Sequence, residues 1–222
     1  MKRITGAFLL LFLFAAKSFS QTSDFGLWYS AGAGMDLTHY LDISLEGDIR
    51  TFDGGSKIDE GFGELGLSLK VFRFLSVGTA YRLTSKLEND NNYYLRHKFM
   101  FDVKGRTSLG RLGLSARFRL QRQDKTYIES LADEVPDYYG RIKLQAVYNL
   151  KKSKFEPNVY IETFSRMFET ADKRIEKYRL SAGVAYKLSK KQKVDLSYIF
   201  QRDYIPHLSN LNIISLSYNF KL

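Results

Sequence analysis

Leu41-Asp42-Ile43-Ser44-Leu45-Glu46-Gly47-Asp48-Ile49-Arg50 places apolar residues at 41, 43, 45 and 49 and polar ones at 42, 44, 46, 48 and 50. Successive side chains of a strand point to opposite faces, so this stretch has one greasy and one polar face. The same period of two recurs along the chain. Leu65, Leu67, Leu69 and Val71 alternate with Glu64, Gly66, Ser68 and Lys70; Leu112, Leu114, Ala116, Phe118 and Leu120 alternate with Gly113, Ser115, Arg117 and Arg119. Eleven such segments can be counted, at 25–37, 41–52, 61–71, 75–86, 93–104, 111–123, 138–150, 155–166, 174–188, 193–203 and 211–222. Each has about the ten residues that a tilted strand needs to cross a bilayer. No convincing amphipathic helix interrupts them, and a helical turn within 124–136 would stop at Pro136.

The connections alternate in length. Short ones fall near Thr38-His39-Tyr40, Arg73-Phe74, 151–154 and 189–192, longer ones at 53–60, 87–92, 124–137, 167–173 and 204–210, with 105–110 intermediate. Tight turns on one side and longer loops on the other are the habit of outer-membrane barrels, whose turns lie in the periplasm. The expected fold is therefore an all-β, antiparallel transmembrane barrel of about ten to twelve strands. One point stays open. Bacterial single-chain barrels have even strand numbers, whereas eleven segments start the first strand on the loop side. A missed strand, residues 21–30 threading the lumen, or an incomplete first strand would each reconcile the count.

Composition narrows the classes. The chain has 222 residues, no Cys, three His, 15 Tyr and 17 Phe, and 34 Lys and Arg against 24 Asp and Glu. The length fits one domain. The lack of Cys excludes disulfide scaffolds, thiol catalysis and Cys-ligated metals, and no cofactor or metal site is expected. Lys2 and Arg3, the apolar run Ile4–Ala16 and Ser18-Phe19-Ser20 have the layout of a secretory signal peptide cleaved between Ser20 and Gln21. This leaves 21–222 as a single domain. Its loss removes three cations and no acids, taking the formal charge from +10 to +7. Anionic surfaces such as lipid phosphates are the expected partners; no basic run interleaved with aromatics suggests nucleic acid.

Alternation alone does not say which face points inward, and a soluble lipocalin-like barrel would also alternate. Three considerations favour greasy-out. Eleven or more strands enclose more space than ordinary apolar side chains fill. Charges recur on the polar face. Aromatics gather near both strand ends: Tyr40, Phe72, Phe74, Tyr148, Phe155, Tyr186 and Phe220 by the short turns, and Phe52, Tyr81, Tyr93, Tyr138, Tyr178 and Tyr204 by the longer loops. Two such belts match two lipid–water interfaces.

The segment Asp24-Phe25-Gly26-Leu27-Trp28, the alternating body and the end Ser215-Leu216-Ser217-Tyr218-Asn219-Phe220-Lys221-Leu222 resemble a family of small Gram-negative outer-membrane barrels known as domain of unknown function 2490. The resemblance covers the mature chain and implies export to the outer membrane and contact with its lipid and lipopolysaccharide. The last strand also resembles the signal presented to the barrel-insertion machinery, with Phe220 two residues before the terminal Leu222. Oligomeric state is not legible.

Greasy-out puts the charges in the lumen. Arg96, Lys98, Asp102, Arg117, Arg119, Arg141 and Lys143 form a largely basic wall, Asp42, Glu46, Asp48 and Glu64 an acidic one, with Arg82 beside it and Glu162 and Arg166 further on. Such charges either pair and plug the barrel or line a narrow, anion-leaning pore. An outer-rim hydrolase is the alternative. His207-Leu208-Ser209-Asn210 resembles the first part of the element used by lipid A deacylases, but no Asp or Glu follows Asn210 to complete it. The expected role is non-enzymatic.

Overall fold

The computed structural model describes residues 23–128, 136–168, 175–205 and 208–222. The signal segment with its Ser20–Gln21 junction, and most of 124–136, lie outside the described residues. Eleven strands make up the fold: β1 (Ser23–Asp36), β2 (Leu41–Phe52), β3 (Lys57–Phe72), β4 (Leu75–Leu87), β5 (Tyr93–Leu109), β6 (Leu112–Lys125), β7 (Asp137–Tyr148), β8 (Phe155–Arg166), β9 (Ile175–Lys187), β10 (Gln192–Asp203) and β11 (Ser209–Lys221). Each pairs with its sequence neighbours, and β1 closes the barrel against β11.

The closure refines the expected antiparallel barrel at a single pair. Ten pairs are antiparallel, but β1 and β11 run parallel, from Ser23 opposite Asn210 to Gly34 opposite Lys221. A meander reverses direction at every turn, so its first and eleventh strands must point the same way. No missed strand is needed. Residues 23–30 do not thread the lumen; they lie in the wall as part of a full strand. Two connections are also tighter than expected. β5 continues to Leu109, leaving a turn at Gly110-Arg111, and β3 starts at Lys57, so only 53–56 join it to β2. Gly54 and Gly55 have φ of 67° and 89° there, backbone that glycine adopts without a Cβ clash.

The greasy face points outward. Leu45, Ile49, Leu65, Leu67, Ile142, Leu144, Val159 and Leu196 are exposed on the outer wall, whereas the buried set is mostly polar: Arg82, Lys98, Arg119, Gln121, Arg141, Glu162 and Arg179. This inverts the soluble pattern and rules out the lipocalin-like packing. A small apolar cluster of Trp28, Ile199 and Ile213, with Tyr160 and Leu211 against it, lines the inside of the parallel seam. Most aromatics of the two belts stand at or near strand ends, and Phe72 stacks on Phe74 with centroids 5.6 Å apart. Tyr81 does not. It lies midway along β4, where its hydroxyl meets His97 Nδ1 at 2.7 Å.

Candidate functional site

The lumen is built from the inward positions of every strand, so its geometry follows from register. In the central layer, apolar rings serve as platforms for guanidinium groups. Arg50 and Arg179 lie over Trp28 at 4.1 and 4.7 Å, Arg82 over Phe62 at 3.6 Å, and Arg141 over Phe164 at 4.4 Å. A guanidinium is weakly hydrated and planar, so it stacks on a ring while its edges bond carboxylates.

The edges are occupied. Arg50 donates to Glu60 at 2.5 Å and to Asp48 at 2.9 Å. Arg82 reaches Glu64 at 2.5 Å. Arg119 grips Asp102 through two hydrogen bonds of 2.6 and 2.7 Å and lies 3.7 Å from Glu64. The acidic wall of β2 and β3 and the basic wall of β4 to β7 are thus stitched together at Arg82 and Arg119. Beyond them Glu162 takes Arg117 at 2.8 Å and Arg141 at 2.9 Å, while Arg179 donates to Gln201 at 2.7 Å. Asp42 sits nearer the turn rim, on Lys70 at 2.8 Å; Arg96 and Arg166 sit at the loop rim, on Glu88 and Glu176.

Charge does not balance everywhere. Register sets Lys104 opposite Arg117, Arg117 opposite Lys143, and Lys143 opposite Glu162. Like charges directly across a ladder repel, and this row of three cations meets one carboxylate across the ladder, Glu162, already shared between Arg117 and Arg141. Lys143 rests over the Tyr160 ring at 3.8 Å. The row faces what space the lumen retains. A mid-lumen cavity of about 350 Å³ is bordered by Glu46, Arg117, Lys143, Tyr160 and Lys193, and a turn-side cavity of about 450 Å³ by Asp42, Asp102, Lys104, Arg106 and Arg119.

The rims differ as well. On the loop side, most of the described cations are paired with acids: Lys57 with Asp53 at 2.9 Å, Arg122 with Asp124 at 2.9 Å, Lys125 with Asp137 at 3.3 Å, Lys177 with Asp203 at 2.9 Å, and Lys86 with Asp59, whereas Arg202 stands over the Tyr204 ring at 5.5 Å. On the turn side, Lys187 and Lys221 have Glu156 and Asp36. Among the described residues no carboxylate pairs with Arg73, Arg106, Arg111, Lys151, Lys152, Lys154, Lys190 or Lys191.

The hydrolase candidate is not assembled in the described residues. His207 lies outside them, and Ser209 is exposed at the start of β11 opposite Asp203. That carboxylate already takes Lys177 Nζ at 2.9 Å and Gln201 Nε2 at 2.6 Å. No group of three or more His, Cys, Asp or Glu among the described residues could hold a metal ion.

Sequence reasoning found the charged inward positions but missed Arg50, Glu60 and Arg179 and the platforms Trp28, Phe62 and Phe164. The signal was available. Four of the six share strand parity with a residue already placed inside: Arg50 with Asp48, Glu60 and Phe62 with Glu64, and Phe164 with Glu162; Trp28 and Arg179 lie on strands where no inward residue had been placed.

A closed, greasy-out β-barrel with an ion-paired lumen defines the class of protein. Residues 25–212 match the family described as protein of unknown function (DUF2490), and the chain belongs to that family. Among solved structures it is similar to the NanC porin, at 12% identity and a TM-score of 0.51, covering 80% of this chain and 86% of that one. It also matches the β domain of the Bordetella autotransporter BrkA, at 15% identity and a TM-score of 0.41, covering 72% and 75%. At such identity the porin likeness shows the barrel fold alone. Comparison with curated proteins returns no match.

Proposed function

We propose that the protein is an exported, non-enzymatic barrel of the Gram-negative outer membrane whose lumen is a narrow passage favouring small anions. The cation row Lys104–Arg117–Lys143, opposed across the ladder by one carboxylate and facing the remaining lumen space, carries this reading. The signal-like first twenty residues and the outward apolar wall support export and membrane insertion, the last strand being the part presented to the insertion machinery. The ion-paired central layer sets the width. A small anion passes by exchanging contacts along the row, which is how charged linings select.

Planar-bilayer recording tests the passage. The intact protein should give small steps with a reversal potential favouring chloride over potassium. Arg117→Ala combined with Lys143→Ala should move that potential towards cations. The packing of Arg119 between Asp102 and Glu64 favours a second reading, a plugged structural barrel. Inserted protein with no conductance would select it. Insertion is checked separately by different gel mobility of boiled and unboiled membrane fractions. Equal mobility, with the protein soluble, would overturn the membrane assignment.

A further inference from the structure

The outer wall of a barrel normally offers hydrocarbon a continuous surface of apolar side chains. On β6 to β9 it is indented. A groove of about 1320 Å³ runs across the strands, bordered by Leu114, Leu144, Val159, Ile161 and Leu180 of the outward rows. Register explains the depression. Gly105 lies opposite Ala116, and Ala146 stands opposite Leu114, so small residues interrupt the outward rows of larger ones. The space exceeds the roughly 300–1,000 Å³ of small-ligand sites, and its outward Leu, Val and Ile side chains offer an incoming chain dispersion and apolar burial.

The groove has a polar mouth. Its turn-side end is bordered by Arg73, Thr107 and Ser108. Arg73 is exposed and pairs with no carboxylate among the described residues, and the same rim carries the other unpaired cations described above. Phe74 stands beside it, stacked on Phe72. An apolar trough ending at an unpaired guanidinium, at the depth of an aromatic belt, is complementary to one chemistry: hydrocarbon chain joined to anionic headgroup. At the loop rim most of the described cations are paired with acids; Arg202 is not, but it lies 5.5 Å from the Tyr204 ring and does not border this groove.

We propose that this groove is a binding site for an anionic glycerophospholipid, with an acyl chain in the trough and the phosphate at Arg73. The site rests on the membrane reading above but not on any conductance. Arg73 supplies charge recognition and the small-residue floor supplies shape. Each can be removed alone.

The test is native mass spectrometry of the full-length protein in detergent, titrated with dioleoyl phosphatidylglycerol or dioleoyl phosphatidylcholine. Boiled and unboiled gel mobility first confirms a folded barrel for each variant, so failure of the membrane reading is seen separately. Retention of the anionic lipid should exceed that of the zwitterionic one about fivefold, the effect of one interfacial cation. Arg73→Gln should abolish that preference, while Ala116→Phe, which fills the trough, should lower retention of both lipids. Lys57→Gln on the loop rim should change neither. Equal retention of the two lipids by the unaltered protein, or an unchanged preference in Arg73→Gln, would overturn the site. So would a dimer that forms through the groove and is lost on Ala116→Phe without any change in lipid retention.

Discussion

A single residue illustrates how the lumen is held. Arg119 is 5% exposed, and its two hydrogen bonds to Asp102 leave its remaining charge beside Glu64. Arg119→Gln strands the Asp102 carboxylate in a confined space, while Glu64 keeps Arg82, and breaking a buried pair from one side costs roughly 3–5 kcal/mol. The variant should therefore unfold from detergent at markedly lower urea. The double variant Arg119→Gln, Asp102→Asn should recover much of the loss, because no uncompensated charge remains; equal instability of single and double variants would show that the pair is not coupled. Asp90, in the loop between β4 and β5, behaves differently. The Tyr94 hydroxyl at 2.6 Å, helped by Asn92, holds its carboxyl below the usual range. A depressed carboxyl contributes stability that is present above its unfolded value near 4 and is lost as pH falls through the folded one. Protection of the Asn92 amide, which donates to Asp90 at 3.0 Å, should thus be constant from pH 7 to about 5 and fall below pH 4. In Asp90→Asn it should lack that step. Hydrogen exchange corrected for intrinsic rate reads both.

At the scale of strands, the outer face was legible and the inner face only half so. Every residue meeting hydrocarbon must be apolar, so Leu65, Leu67 and Leu69 announce their direction. An inward residue is under no such rule: Trp28, Phe62 and Ile213 point inside with Arg82 and Glu162 because rings can support guanidinium groups and seal a seam. Strand ends were harder still. Ladder pairing carries β5 on through Gly105 to Leu109 although alternation weakens there, and the sequence marks no penalty for doing so. The parallel seam was not legible in the alternation, which is the same whichever way a neighbour runs; it follows from the odd strand count, which the eleven segments already carried. Its register is testable. Ser30 and Ser217 lie opposite one another with hydroxyls 2.7 Å apart, and the chain has no Cys to compete. Ser30→Cys with Ser217→Cys should form a disulfide on oxidation, seen as a non-reducing gel shift. Ser30→Cys with Ser215→Cys, two residues out of register, should not. The reverse result would mean a slipped seam.

For the whole molecule, eleven strands have a consequence that an even number would not. Ser23 stands at the rim that carries the 53–56 and 88–92 connections, and Leu222 at the rim of tight turns, so the two ends of the described wall emerge on opposite faces. A meander with an even count would bring both to the same face. Three epitope insertions decide between these: one just before Ser23, one between Gly54 and Gly55, and one between Ser189 and Lys190 in the turn joining β9 to β10. On intact cells the first two should be labelled together and the third only after permeabilisation. Which sites are labelled alike does not depend on which rim faces outward, because an inverted barrel would exchange all three and keep the first two alike. Labelling of the first insertion together with the third, and apart from the second, would show that β1 enters from the turn side. The parallel pairing with β11, and with it the apolar seal of Trp28, Ile199 and Ile213 across the seam, would then be wrong.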